Sequence, residues 1–163
     1  MVSTAHDKYT ALQRHRNAGP LALDPRTTAL VIIDMQEYFV NAASPFSRAC
    51  EAIVPGVLSH FQERGRGVVE PSLRRLLDFF RAHGLRIVYT TVASELPDGS
   101  DLMPIFQQRN AANRAAVGDA AIPPRGDAWA RIVASLEPRP GELVVNKTTY
   151  GTFSSTGLDH ALR

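Results

Sequence analysis

From Thr28 onward, continuous apolar runs alternate with amphipathic stretches. "ALVIID", Ala29 to Asp34, is an apolar run closing on a carboxylate, as expected of a strand buried on both faces of a parallel sheet. "EPSLRRLLDFFRAHG" puts Leu73, Leu76, Leu77 and Phe80 on one helical face, with Pro71 at its start and Gly84 as its stop. "LRIVYTTVAS" predicts a second strand from Leu85 to about Val92, rich in β-branched residues. Asp127 can cap a helix carrying Trp129, Ile132, Val133 and Leu136 on one stripe. "ELVVNK" is a third strand ending at Lys147, and Thr156-x-x-Asp159 is a capping-box pattern for a closing helix. Strand, helix, strand, helix, strand, helix predicts an α/β fold built on a parallel sheet.

The segments between these elements are less regular. Residues 1–26 read as a polar N-terminal arm with proline stops at Pro20 and Pro25 and one short helix around Tyr9 to His15; the domain proper is residues 27–163. Met35 to Val69 is too long for an ordinary connection, which predicts a short helix or a loop over a site. Residues 95–126 read as a polar region with no assigned element.

Composition narrows the class. The 163 residues suit one domain, and 44% hydrophobic with 21% charged residues is ordinary globular usage. A net charge of +2, with scattered arginines, excludes the usual signature of a nucleic-acid or anionic-membrane partner. No apolar run approaches a membrane span, and the N-terminus has no apolar h-region. A single cysteine, Cys50, fits a reducing compartment, so the expected location is cytoplasmic.

Ligands of open parallel sheets bind outside the carboxyl ends of the strands. Asp34 ends the first predicted strand and Lys147 the third, so opposite charges fall on the same edge of the sheet. Each is costly to bury alone, and together they can pair and keep one another ionised. A purely structural salt bridge would use the same two residues, and spacing alone leaves both readings open.

The neighbouring residues add a resemblance. "LVIIDMQEYF" and "ELVVNKTTYGTFSSTGLDHALR", with "PSLRRLLDFFRAHGLRIVYT" between them, resemble segments of the isochorismatase-like cysteine hydrolases in order and spacing, over Thr28 to Arg163. That superfamily includes isochorismatases, nicotinamidases and amidases acting on carbamoyl or ureide compounds. The resemblance implies a Rossmann-like, three-layer α/β/α domain with a Cys–Asp–Lys catalytic set, a small-molecule substrate and a homo-oligomer. Asp34 matches its general base and Lys147 the lysine that holds that base. A thiol with an ordinary pKa near ~8.5 is mostly protonated at neutral pH, which is why it needs a base and a nearby cation.

The nucleophilic cysteine of that set belongs one strand further on, beyond Arg163. Cys50 follows the first strand and is expected to be a loop thiol or small apolar filler. Three readings stay open: a piece of a longer cysteine hydrolase cleaving a C–N bond, an isochorismatase-type vinyl-ether hydrolase that needs no cysteine, or a non-catalytic binding or oligomerisation module. A piece is expected to leave a sheet edge unprotected and to be poorly soluble. Gln36, Phe39, Tyr150 and Phe153 follow the charged strand ends and are candidate substrate-binding residues; Asn41 and Thr91 are weaker ones. The Asp-x-His metal pattern of the nicotinamidases is absent, since no histidine lies two residues after Asp34, so the resemblance implies no metal, and no other cofactor is expected. "GRG", Gly65 to Gly67, lacks the third glycine and the strand–helix setting of a dinucleotide fingerprint.

Overall fold

The computed structural model describes residues 4–16, 19 and 22–163. Helix α1 spans Ala5–Arg16, longer than the short helix predicted in the arm. Pro20 lies outside the described residues. Strand β1 is Ala29–Ile33, followed by helices α2 (Glu37–Val40), α3 (Pro45–Ile53) and α4 (Ser59–Arg64). A π-helical turn, Gly65–Val69, joins α4 to α5 (Glu70–Ala82), which leads into β2 (Arg86–Val92). Helix α6 is Pro104–Val117, β3 is Leu143–Lys147, and the short helices α7 (Thr152–Ser155) and α8 (Leu158–Leu162) follow.

The three strands form one parallel sheet in the order β1–β2–β3, pairing Ile33 with Thr90 and Val92 with Lys147. This is the α/β architecture that the alternating pattern predicts. One hydrophobic cluster joins Ile32, Ile87 and Tyr89 of the sheet to Leu77 and Phe80 of α5. Leu73 packs against that cluster as well, but Leu76, predicted on the same face, is exposed. A second cluster sits at the carboxyl end of β2, where Val92 meets Tyr38, Leu102, Phe106 and Ile122.

Two regions depart from the expectations. Residues 127–136 form no continuous helix. Asp127 does cap, accepting from the Trp129 amide at 2.8 Å, but the turn is only three residues long. Arg131 to Val133 then run extended against the segment after β1: Glu37 N donates to Arg131 O at 2.8 Å and Val133 N to Met35 O at 3.0 Å. Val133 and Leu136 still enter the core, because the pairing buries them as a helix would have done. The apolar spacing was right about burial and wrong about backbone.

The other departure is α6, inside the region read as polar. Its helix formers are Ala, Gln and Arg, with Pro104 in the first turn and Gly118 in the left-handed conformation that closes it, φ 85°. Its apolar stripe is thin, and hydrophobic periodicity therefore understates it.

Candidate active site

Asp34 is the one non-glycine residue with positive φ, at 54°, among the described residues. Its amide still continues the ladder, donating to Thr90 O at 3.0 Å, so the strand is held up to the kink. Aspartate tolerates the left-handed region better than most residues, and strained backbone of this kind gathers at functional sites. The kink directs the carboxylate across the end of β2 toward β3. There Lys147 Nζ donates to Asp34 Oδ1 at 2.8 Å and to Oδ2 at 2.7 Å. Thr90 Oγ1 donates to Oδ1 at 2.7 Å. Oδ1 thus accepts two hydrogen bonds and Oδ2 one, which leaves a lone pair on Oδ2 for a further proton. The lysine side chain is only 4% exposed and the carboxylate 20%, so the cation sits behind the acid.

Both charges line a cavity of about 350 Å³, within the usual size of a small-molecule site. Two helices wall it. Phe46, Cys50 and Ile53 come from one face of α3, and Phe106, Arg109 and Asn113 from one face of α6. The Met35–Val69 stretch therefore does carry a helix over the strand ends, as its length predicted. Tyr38 lines the cavity too; its hydroxyl is buried with no hydrogen-bond partner among the described residues, and burial together with the Asp34 charge pushes its pKa up.

Of the four residues expected at substrate, Phe39 and Tyr150 line this cavity and Gln36 and Phe153 do not. Gln36 is fully buried, and its amide acts like an extra backbone unit. Its Oε1 accepts from Val92 N at 2.7 Å, while Nε2 donates to Val92 O at 3.1 Å and Ala130 O at 2.7 Å. It pins β2 to β1 past the kink at Asp34 and has no donor left for a ligand. Phe153 is exposed on α7. Asn41 bonds Glu37, and Thr91 bonds Asn146 rather than the acid. The hydroxyl that reaches Asp34 belongs to Thr90, one residue earlier. Strand register alone would bring Asp34 level with Thr91, because Ile33 pairs with Thr90; the left-handed kink at Asp34 turns its carboxylate to Thr90 instead.

Cys50 lies on the cavity wall, a position its place in the chain did not suggest. Burial, followed by the charge of Glu51, raises its pKa, the opposite of what an activated nucleophile needs.

A parallel α/β sheet with an acid–lysine pair at its carboxyl edge, opening on an apolar cavity, defines an α/β domain with a strand-end acid–base site. The chain belongs to the isochorismatase family: residues 28–163 match the Isochorismatase domain. It is similar to the ureidoacrylate amidohydrolase RutB of Methylobacterium radiotolerans, with 27% identity over 150 residues covering 88% of this chain and 54% of that protein. The isochorismatase family protein YwoC of Bacillus subtilis is 31% identical over 143 residues, 88% of this chain and 60% of that one. Among solved structures, an isochorismatase family protein from Desulfovibrio vulgaris superposes with a TM-score of 0.58 at 31% identity, covering 84% of this chain and 60% of that one. The chain thus spans a little over half the length of the curated relatives it matches, 54% for the first.

Proposed function

We propose that this chain supplies the general base and its lysine partner to a cysteine hydrolase that cleaves a C–N bond of a small amide, carbamoyl or ureide compound. The observation that carries this reading is the two-point contact of Lys147 Nζ on Asp34, at 2.7 and 2.8 Å, facing an apolar cavity at the strand ends. Asp34 Oδ2 takes the proton of an incoming thiol, and the lysine ammonium, fixed behind the acid, favours the resulting thiolate. Attack on the substrate carbonyl gives an acyl intermediate and expels the amine, which takes back the proton from Asp34. Water, deprotonated by the same carboxylate, then releases the acid product. We do not give Cys50 this role: it stands on α3, and burial pushes its thiol pKa up rather than down. In this reading the thiol comes from a cysteine outside residues 1–163.

The test is release of ammonia or amine by the full-length protein from a panel of carbamoyl and ureide compounds. The panel includes ureidoacrylate, the compound named in the RutB relative's activity. Asp34→Asn and Lys147→Ala are expected to abolish turnover while the circular dichroism spectrum stays that of wild type. Wild-type kcat in either variant would falsify the assignment.

A further inference from the structure

Among the described residues, three charged side chains line the cavity: Asp34, Lys147 and Arg109. The first two neutralise one another through direct hydrogen bonds. Arg109 is exposed on α6 and, among the described residues, makes no ion pair and no side-chain hydrogen bond. Other arginines in this part of the molecule are spent: Arg48 pairs with Asp119 at 3.0 Å and Arg125 with Glu95 at 3.1 Å. The cavity therefore carries a net positive charge at its exposed rim and a neutral pair at its floor.

The guanidinium is also braced. Its central carbon lies 5.9 Å from the Tyr150 ring centroid, and Tyr150 in turn meets Phe106 edge-on at 4.7 Å between centroids. A guanidinium held over an aromatic face keeps its in-plane N–H donors free, in the fork that matches a carboxylate. Arg109 shares its helical face with Phe106 and Asn113, both cavity-lining, so a helix rather than a loop sets its position.

We propose that Arg109 is a specificity-determining residue, and that the cavity selects small amphipathic anions with an apolar body along its walls and a carboxylate on Arg109. For the reacting group at the floor this rests on the hydrolase reading above; the anion contact is tested without turnover.

The probes are phenylpropionate and phenylpropanol, which match in apolar body, differ in charge and contain no C–N bond. Calorimetric titration of the full-length protein is expected to favour the anion by about tenfold, as one charge-assisted bidentate contact allows, and the preference should weaken with added salt. Arg109→Gln should lower phenylpropionate affinity by the same factor and leave phenylpropanol unchanged, and Arg109→Lys should recover part of the loss. Equal affinities, a loss shared by both probes, or no saturable binding of the anion would each overturn the proposal. A hydrolase assay that failed in the full-length protein would refute the reaction while these titrations still decided the anion site.

Discussion

The sheet carries a buried or half-buried ion pair at each end of its strands, and the two are built differently. At the amino edge, Arg81 of α5 meets Glu142, just before β3, with Nε donating to Oε1 at 2.7 Å and Nη2 to Oε2 at 2.9 Å. Arg139 N donates to Oε2 at 2.9 Å, Tyr89 Oη donates there too, and Arg81 Nη2 also reaches Glu137 O. At the carboxyl edge, Asp34 has one hydroxyl and one ammonium, a left-handed backbone and a cavity in front of it. Glu142 accepts four hydrogen bonds, all of them from the segments it ties together. Asp34 keeps a carboxylate oxygen available. Burial and charge alone do not separate the two pairs, and neither does a cavity, since Arg81 and Glu142 line one as well; the left-handed backbone at Asp34 and the apolar walls in front of it do.

The largest expected difference is in turnover. In the full-length protein, Asp34→Asn or Lys147→Ala should lower kcat by about a thousandfold, whereas Arg81→Met and Glu142→Gln should leave it within about twofold. Similar losses from both pairs in steady-state kinetics would erase the distinction.

Stability should show the reverse emphasis. Arg81→Met strands a carboxylate that is only 12% exposed, at a cost of about 2–4 kcal/mol, read from urea unfolding midpoints. An unchanged midpoint would show that the amino-edge network contributes little.

The same network predicts a pH dependence. Hydrogen bonding from Arg81, ahead of the opposing effect of burial, pulls the Glu142 carboxyl down to about 2 from an ordinary 4.5. A depressed folded-state pKa gives stability that is present above the unfolded value and is lost as pH falls through the folded one. The Glu142 contribution should therefore fade between about pH 4.5 and pH 2, and Glu142→Gln should flatten the stability profile in that window. At the alkaline end, burial pushes Tyr89 up to about 12, so its phenolate absorbance should emerge late, and with it a loss of stability above pH 10.

Smaller effects sharpen the carboxyl edge. Thr90→Val removes one hydrogen bond from Asp34 while keeping shape, and about tenfold in kcat is expected, since a bond to a charged group is worth about 1.5–3 kcal/mol. Thr91→Val, whose hydroxyl bonds Asn146, should change kcat little. Smallest of all, Cys50→Ser should stay within about twofold of wild-type kcat in the full-length protein; a large loss would make that thiol the nucleophile after all.

Much of this layout was legible from residue order. Three apolar runs became three parallel strands, and the α5 helix ends within two residues of Gly84. The charges at positions 34 and 147 met as the strand ends implied. The aromatic and amide neighbours were harder. Phe39 and Tyr150 reached the cavity, but Gln36 turned into the sheet because a buried kink left Val92 with backbone groups that only a side-chain amide could satisfy. Helix α6 leaves little trace in the hydrophobic periodicity because its stripe of Phe106, Arg109 and Asn113 faces a cavity rather than a core, and such a face is not uniformly apolar.

The sequence by itself determined the strands, the principal helix and the presence of opposite charges at one edge, because these follow from local periodicity and strand direction. Only the tertiary structure decided which hydroxyl reaches Asp34, that α3 and α6 wall a cavity, and that Arg109 stands at its rim with no ion pair among the described residues. Those facts depend on contacts between residues far apart in the chain, 56 residues for Thr90 and Asp34, where no local pattern specifies which side chains meet.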